Sequence, residues 1–94
     1  MSLPEKIYET RKLTCYPNPA DLELNFEIEC HSAAKLSVIS LLGTEVWSSE
    51  VRGTGKKILS WNLENESGQR VTPGIYFYLL ESGKEKITGK VMVK

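Results

Sequence analysis

The chain has 94 residues, enough for one domain and too few for a large buried core. Twelve basic side chains balance twelve acidic ones, so the cationic excess that nucleic acid or an anionic membrane rewards is missing. Apolar content is 40% and charged content 26%, as in a soluble globular domain, and no apolar run approaches the roughly 18 residues of a transmembrane helix.

Residues 1–11 read as a polar lead-in and linker. Met1-Ser2-Leu3 runs straight into charged residues, with no hydrophobic segment of signal type. A sandwich domain cut from a longer secreted protein has the same look. Residues 12–94 then form one β unit. Lys12–Tyr16 is expected as a short strand with Leu13 and Cys15 on one face. Pro17-Asn18-Pro19-Ala20 stops it, because proline fixes φ, lacks a backbone donor and pushes its predecessor toward extended backbone.

The second strand is the clearest. Leu22, Leu24, Phe26 and Ile28 alternate with Glu23, Asn25, Glu27 and Glu29. That period of two predicts one buried and one wet face. Lys35–Leu42 carries apolar residues at both parities, which predicts a central or bulged strand. Gly43 supplies a turn, and Thr44–Val51 continues extended. Arg52-Gly53-Thr54-Gly55 is turn chemistry. Lys56–Leu63 alternates again, with Leu59, Trp61 and Leu63 inward.

A polar loop follows, and Pro73-Gly74 suits the centre of a type II turn. Ile75–Leu80 is apolar throughout, as a strand covered on both faces would be. Ser82-Gly83 predicts a hairpin turn. The last strand points Ile87, Val91 and Val93 inward and Lys90, Met92 and Lys94 outward. No stretch has a helical period. Six or seven short strands at regular spacing predict an all-β antiparallel sandwich.

Two cysteines, Cys15 and Cys30, are the only ones. If the first two strands form a hairpin centred on the proline corner, Cys15 faces Leu22. Eight residues, or about 26 Å, then separate it from Cys30, well beyond bridging range. If the first strand joins the opposite sheet instead, a bridge comes within reach.

Groups able to do chemistry are scarce. His31 is the one histidine and Asp21 the one aspartate. They flank the second strand, about 33 Å apart on extended backbone, too far for a catalytic hydrogen bond. Glu23, Glu27 and Glu29 read as a solvated sheet face. The cysteine and histidine spacing disfavours zinc, and no loop concentrates acids for calcium. Gly53-Thr54-Gly55-Lys56 lacks the spacing of a phosphate loop. These readings predict no catalytic, metal or cofactor site. Trp47, Tyr76 and Tyr78 offer one alternative, a platform for carbohydrate or peptide; packing under loops competes with it.

Several motifs occur in a telling order: YPNPA at 16–20, SLLGTEVW at 40–47, SGQRVTPGIYFYLLESG at 67–83 and KITGKVMVK at 86–94. Over residues 13–94 this set resembles the C-terminal sorting domain of type IX secretion substrates. It also resembles the related immunoglobulin-like C-terminal domain of flagellar hook-capping proteins, toward which Trp61 and Ser67-Gly68 lean. The matching positions are Pro17, Asn18, Pro19, Gly43, Val46, Pro73, Gly74, Tyr76, Lys90 and Lys94.

The resemblance implies an immunoglobulin-like sandwich of six or seven strands. It implies a non-catalytic sorting and anchoring module, with no cofactor, at the end of a larger secreted or cell-surface protein of a Gram-negative bacterium. The implied partners are the secretion machinery of the outer membrane and a covalently linked upstream cargo domain. No nucleic acid and no membrane insertion are expected. The alternatives are a carbohydrate- or protein-binding module using Trp47 and Tyr78, or an architectural hook-capping-like domain.

Overall fold

Seven strands pair into two antiparallel sheets that face each other across one apolar layer. The computed structural model describes residues 12–83 and 85–94; the proposed linker, residues 1–11, lies outside them. The strands are β1 (Lys12–Tyr16), β2 (Leu24–Cys30), β3 (Ala34–Ser40), β4 (Glu45–Val51), β5 (Gly55–Trp61), β6 (Gly74–Ser82) and β7 (Glu85–Val93). One sheet has the order β1-β2-β5 and the other β4-β3-β6-β7. The chain changes sheet after β2, β4 and β5, the Greek-key pattern of an immunoglobulin-like sandwich.

Alternation in β2 does what the sequence predicts. Leu24, Phe26, Ile28 and Cys30 are fully buried, while Asn25, Glu27 and Glu29 face out. The strand begins later than expected, however. Leu22 is 78% exposed, and Ala20 is the buried residue of this segment. The hairpin is correspondingly looser. Cys15 faces Phe26 rather than Leu22. About 13 Å of β2 still separates that position from Cys30, and the cysteines are not bridged.

In the four-stranded sheet β3 is central, and it is also bulged. Val38 faces Trp47 but Ile39 faces Glu45, so Val46 is the extra residue of β4. The bulge breaks the alternation and lets neighbours Val46 and Trp47 both pack against the core. The expected continuation of β3 through Leu42 fails. Leu41 and Leu42 form the exposed tip of the β3–β4 turn, closed by the Gly43 N–H to the Ser40 carbonyl at 2.9 Å.

The reading of β6 also needs correction. Only one of its faces is fully covered. Tyr76, Leu80 and Ser82 are buried there, whereas Phe77 on the other face is open to solvent. The two faces differ because, among the described residues, nothing is stacked on the outer side of the second sheet.

At the centre of the core Trp61 and Phe26 anchor an aromatic cluster. Trp47 lies parallel to Phe26 with ring centroids 6.1 Å apart, and Tyr78 meets Phe26 edge-on at 5.8 Å. Trp61 touches Trp47 at 6.1 Å and Tyr76 at 6.0 Å. Its indole N–H donates to the Glu64 carbonyl at 2.9 Å. Tyr78 can lie inward because the residue opposite it on β7 is Gly89. A Cβ there would overlap the Tyr78 phenol. Gly89→Val is expected to cost about 1–3 kcal/mol in a urea unfolding titration, the usual range for overpacking; an unchanged midpoint would refute this packing role.

Candidate recognition site

Antiparallel pairing decides where the motif residues meet. Tyr16 faces Asn25, Leu24 faces Trp61, Ser40 faces Tyr76 and Gly74 faces Val93. The ends of β1, β3, β5 and β7 and the starts of β2, β4 and β6 therefore share one pole of the sandwich. Nine of the ten positions singled out in the sequence lie at or next to that pole. Pro17, Asn18 and Pro19 form the β1–β2 corner, and Gly43 and Val46 flank the start of β4. Pro73, Gly74 and Tyr76 open β6, and Lys94 lies just after the end of β7, while Lys90 sits three residues inside that strand, opposite Phe77. His31 and the Arg52–Gly55 turn sit at the opposite pole, where β1 also begins.

The proline corner does more than end a strand. It crosses to the other sheet and clasps the last strand. The Ala20 N–H donates to the Met92 carbonyl at 2.8 Å, and the Lys94 N–H donates to the Ala20 carbonyl at 2.7 Å. Asn18 adds its side chain, with Oδ1 accepting the Met92 N–H at 3.0 Å. The Ala20–Val93 bridge is parallel, and both residues are buried. A small residue is needed at position 20 because it sits between the sheets. Both proline peptide bonds of the corner are cis.

The neighbouring loops are fixed in the same way. Tyr76 Oη donates to the Thr72 carbonyl at 2.7 Å, a tyrosine corner at the start of β6. Gly74 is the first residue of that strand, with φ 143. That value departs from the φ near +80° of the expected type II turn, yet it still favours glycine. Arg70 donates from Nη2 to the Lys94 carbonyl at 3.1 Å. Asn65 Oδ1 accepts the N–H groups of Ser67 and Gln69. The pole is thus tied by backbone bonds, and its apolar tip is Leu41 and Leu42.

The roles of Asn18, Ala20 and Arg70 were not apparent from the sequence. A small residue after a proline pair is the one local hint for Ala20. Trp47 and Tyr78, the residues of the alternative binding platform, are half-buried and turned toward the core, in contact with Phe26. Among the described residues no group of three or more metal-ligating side chains converges. His31 and Asp21 are both exposed, at opposite ends of β2.

Two groups between the sheets have perturbed titrations. Burial raises the Cys15 thiol above its ordinary value; burial, and then the nearby Cys15, raise the Tyr78 phenol. In both, folding favours the neutral form. Once pH passes the unfolded-state values, the folded chain binds more protons, so stability falls as pH rises further. The contribution is intact at neutral pH and lost through the alkaline range. We expect a lower urea midpoint at pH 10 than at pH 7, with a smaller difference in Cys15→Ala. A midpoint indifferent to alkali would contradict the sign.

Comparison with known proteins shows the family and the fold. The family described as the secretion system C-terminal sorting domain matches residues 14–94. The chain belongs to the type IX secretion-system C-terminal sorting domain family. A sorting domain of this kind is carried by a secreted or cell-surface protein as part of a longer precursor.

Two solved structures from Porphyromonas gingivalis share the fold. Dimeric latent PorU is 19% identical with a TM-score of 0.72, over 88% of this chain and 9% of PorU. PorZ, a surface component of the type IX secretion system, is 19% identical with a TM-score of 0.70, over 87% of this chain and 11% of PorZ. The sorting domain thus spans about a tenth of either protein. No curated protein matches the chain by sequence.

Proposed function

We propose that the sorting domain is a non-catalytic sorting and anchoring module, read as a folded shape by the outer-membrane secretion machinery. The reader binds the pole formed by Pro17–Pro19, Gly43, Pro73-Gly74 and the end of β7. One observation carries this reading: residues scattered from position 17 to position 94 gather at a single pole, clasped through Ala20 and Asn18. The upstream cargo joins at β1, whose first residue lies at the other pole, so cargo and reader do not compete for space. Recognition of this kind needs a rigid outline and no reactive group, consistent with the placement of His31 and Asp21. The partners are that machinery and the cargo, with no nucleic acid and no inserted segment.

The test is export of a secreted reporter fused to residues 12–94 in a host with the type IX pathway. Deleting Lys90–Lys94 would confound it, because Val91 and Val93 are buried. Surface substitutions avoid this. Leu41→Asp with Leu42→Asp, and Lys94→Glu, alter the motif pole. Arg52→Glu and Thr54→Asp alter the other. With urea midpoints matched, export is expected to drop at least tenfold for the first set only. Equal export from both sets would overturn the assignment.

A further inference from the structure

The clasp shows which edge of β7 is open and how it is used. Backbone groups of successive residues alternate between the two edges of a strand. Met92 and Lys94 point theirs away from β6, toward the 18–20 segment. The β6–β7 register is regular along its whole length. Lys86, Thr88 and Lys90 therefore present their N–H and C=O groups on the same outer edge. β7 is the last strand of its sheet, and the clasp ends at Met92. About 13 Å of edge, from position 86 to 90, has no strand beside it among the described residues.

The side chains along this stretch define what would fit. On the outer face Lys86 and Lys90 flank Thr88. Lys90 takes part in no ion pair among the described residues, and Lys86 meets Glu81 only at 3.8 Å. On the inner face stand Ile87 and Gly89. Over the bare glycine lies the Tyr78 ring, which like Ile87 is covered only in part.

We propose that this edge accepts an added strand from a partner protein, with acidic side chains beside Lys86 and Lys90 and apolar ones beside Ile87 and the Tyr78 ring that lies over Gly89. Opposite charges across neighbouring strands attract, and apolar side chains on the added strand cover Ile87 and Tyr78, which the sandwich buries only in part. The proposal rests on the sorting reading above and names the partner segment it implies. A second copy of the chain does not fit. Antiparallel pairing of two β7 edges about Thr88 would set Lys86 against Lys90 twice. Lysines also guard edges against aggregation, and that role alone predicts no preference for an acidic strand.

The probe is a fluorescein-labelled nonapeptide alternating Glu and Val, with a Lys/Val peptide as control, titrated against the chain by anisotropy at low ionic strength. The acidic peptide is expected to bind at least tenfold more tightly. Its binding should shift the amide resonances of Lys86, Thr88 and Lys90 in NMR spectra. Thr88→Pro removes an edge N–H that bonds nothing in the sheet, so the domain still folds; binding should weaken at least tenfold. Lys86→Glu with Lys90→Glu should reverse the peptide preference. Equal affinity for both peptides, or undiminished binding by a folded Thr88→Pro, overturns the proposal. Normal export of Thr88→Pro beside failed export of the Leu41/Leu42 variant would likewise dismiss the edge while leaving the pole reading intact.

Discussion

Trp61→Ala is expected to lower the unfolding free energy by about 3–5 kcal/mol, the range for truncating a large buried aromatic residue. A chain of this length has roughly 5–14 kcal/mol in total. The variant therefore sits at or near the unfolding threshold. Trp61 is fully buried and touches aromatic rings from β4 and β6, so its loss opens a void between the sheets. It also orphans the Glu64 carbonyl that accepts the indole N–H. Urea unfolding followed by far-UV circular dichroism is the direct measurement. Trp61→Phe separates the two losses, since it keeps most of the packing and removes only the hydrogen bond. A midpoint for Trp61→Ala within error of the parent would mean that the aromatic cluster is not the centre of the core.

Ala20→Asp should be nearly as damaging, for a different reason. Ala20 has no solvent exposure and lies between the sheets with both backbone groups bonded to β7. A carboxylate placed there loses hydration among the apolar side chains of the core. Burying an unpaired charge costs several kcal/mol, and the group responds by taking up a proton. The deficit relative to the parent should thus be about 3 kcal/mol or more at pH 7 and shrink as pH falls toward about 4. The sign follows from the raised carboxyl value in the folded variant, which makes the folded state the tighter proton binder. A deficit that stays constant with pH would show that the side chain escapes to water and that the clasp tolerates it. In an export assay this variant should fail where Asp21→Ala, one residue along and exposed, does not.

Much of the architecture was legible because sheet packing writes itself into local alternation. Leu24 to Cys30 reads as a half-buried strand from parity alone, and parity also separated Val91 and Val93 from Lys90 and Met92. What stayed hidden depends on distant partners or on local breaks in regularity. Leu22 and Leu24 look alike in sequence, and only the docking of Ala20 on Val93 explains why one is wet and the other dry. Leu41 and Leu42 look like strand residues because hydrophobicity carries no record of a hairpin tip.

Val46 and Trp47 have opposite parity yet both pack inward, since a bulge inserts one residue between them and their partners on β3. Leu63 is a similar case. Strand β5 ends at Trp61, and Leu63 turns into the core with φ 65, a conformation that leucine rarely takes. Its burial and the Val71 N–H bonded to its carbonyl at 2.9 Å hold it there. Of the candidate site, the motif positions could be marked in advance but their assembly could not. Gathering them at one end requires knowing which strands pair, and that knowledge comes from contacts between the first and last thirds of the chain.

The direction of β1 has a consequence for the whole precursor. Strand β1 begins at one end of the sandwich and the motif loops lie at the other; on the proposed reading, a passenger joined ahead of β1 would stand off from the end that is read by the length of the domain. A nine-residue strand such as β7 measures about 30 Å. If that reading holds, an address label mounted on such a stalk would be inspected without regard to the bulk, charge or shape of the freight behind it, and one inspection device would serve many different passengers.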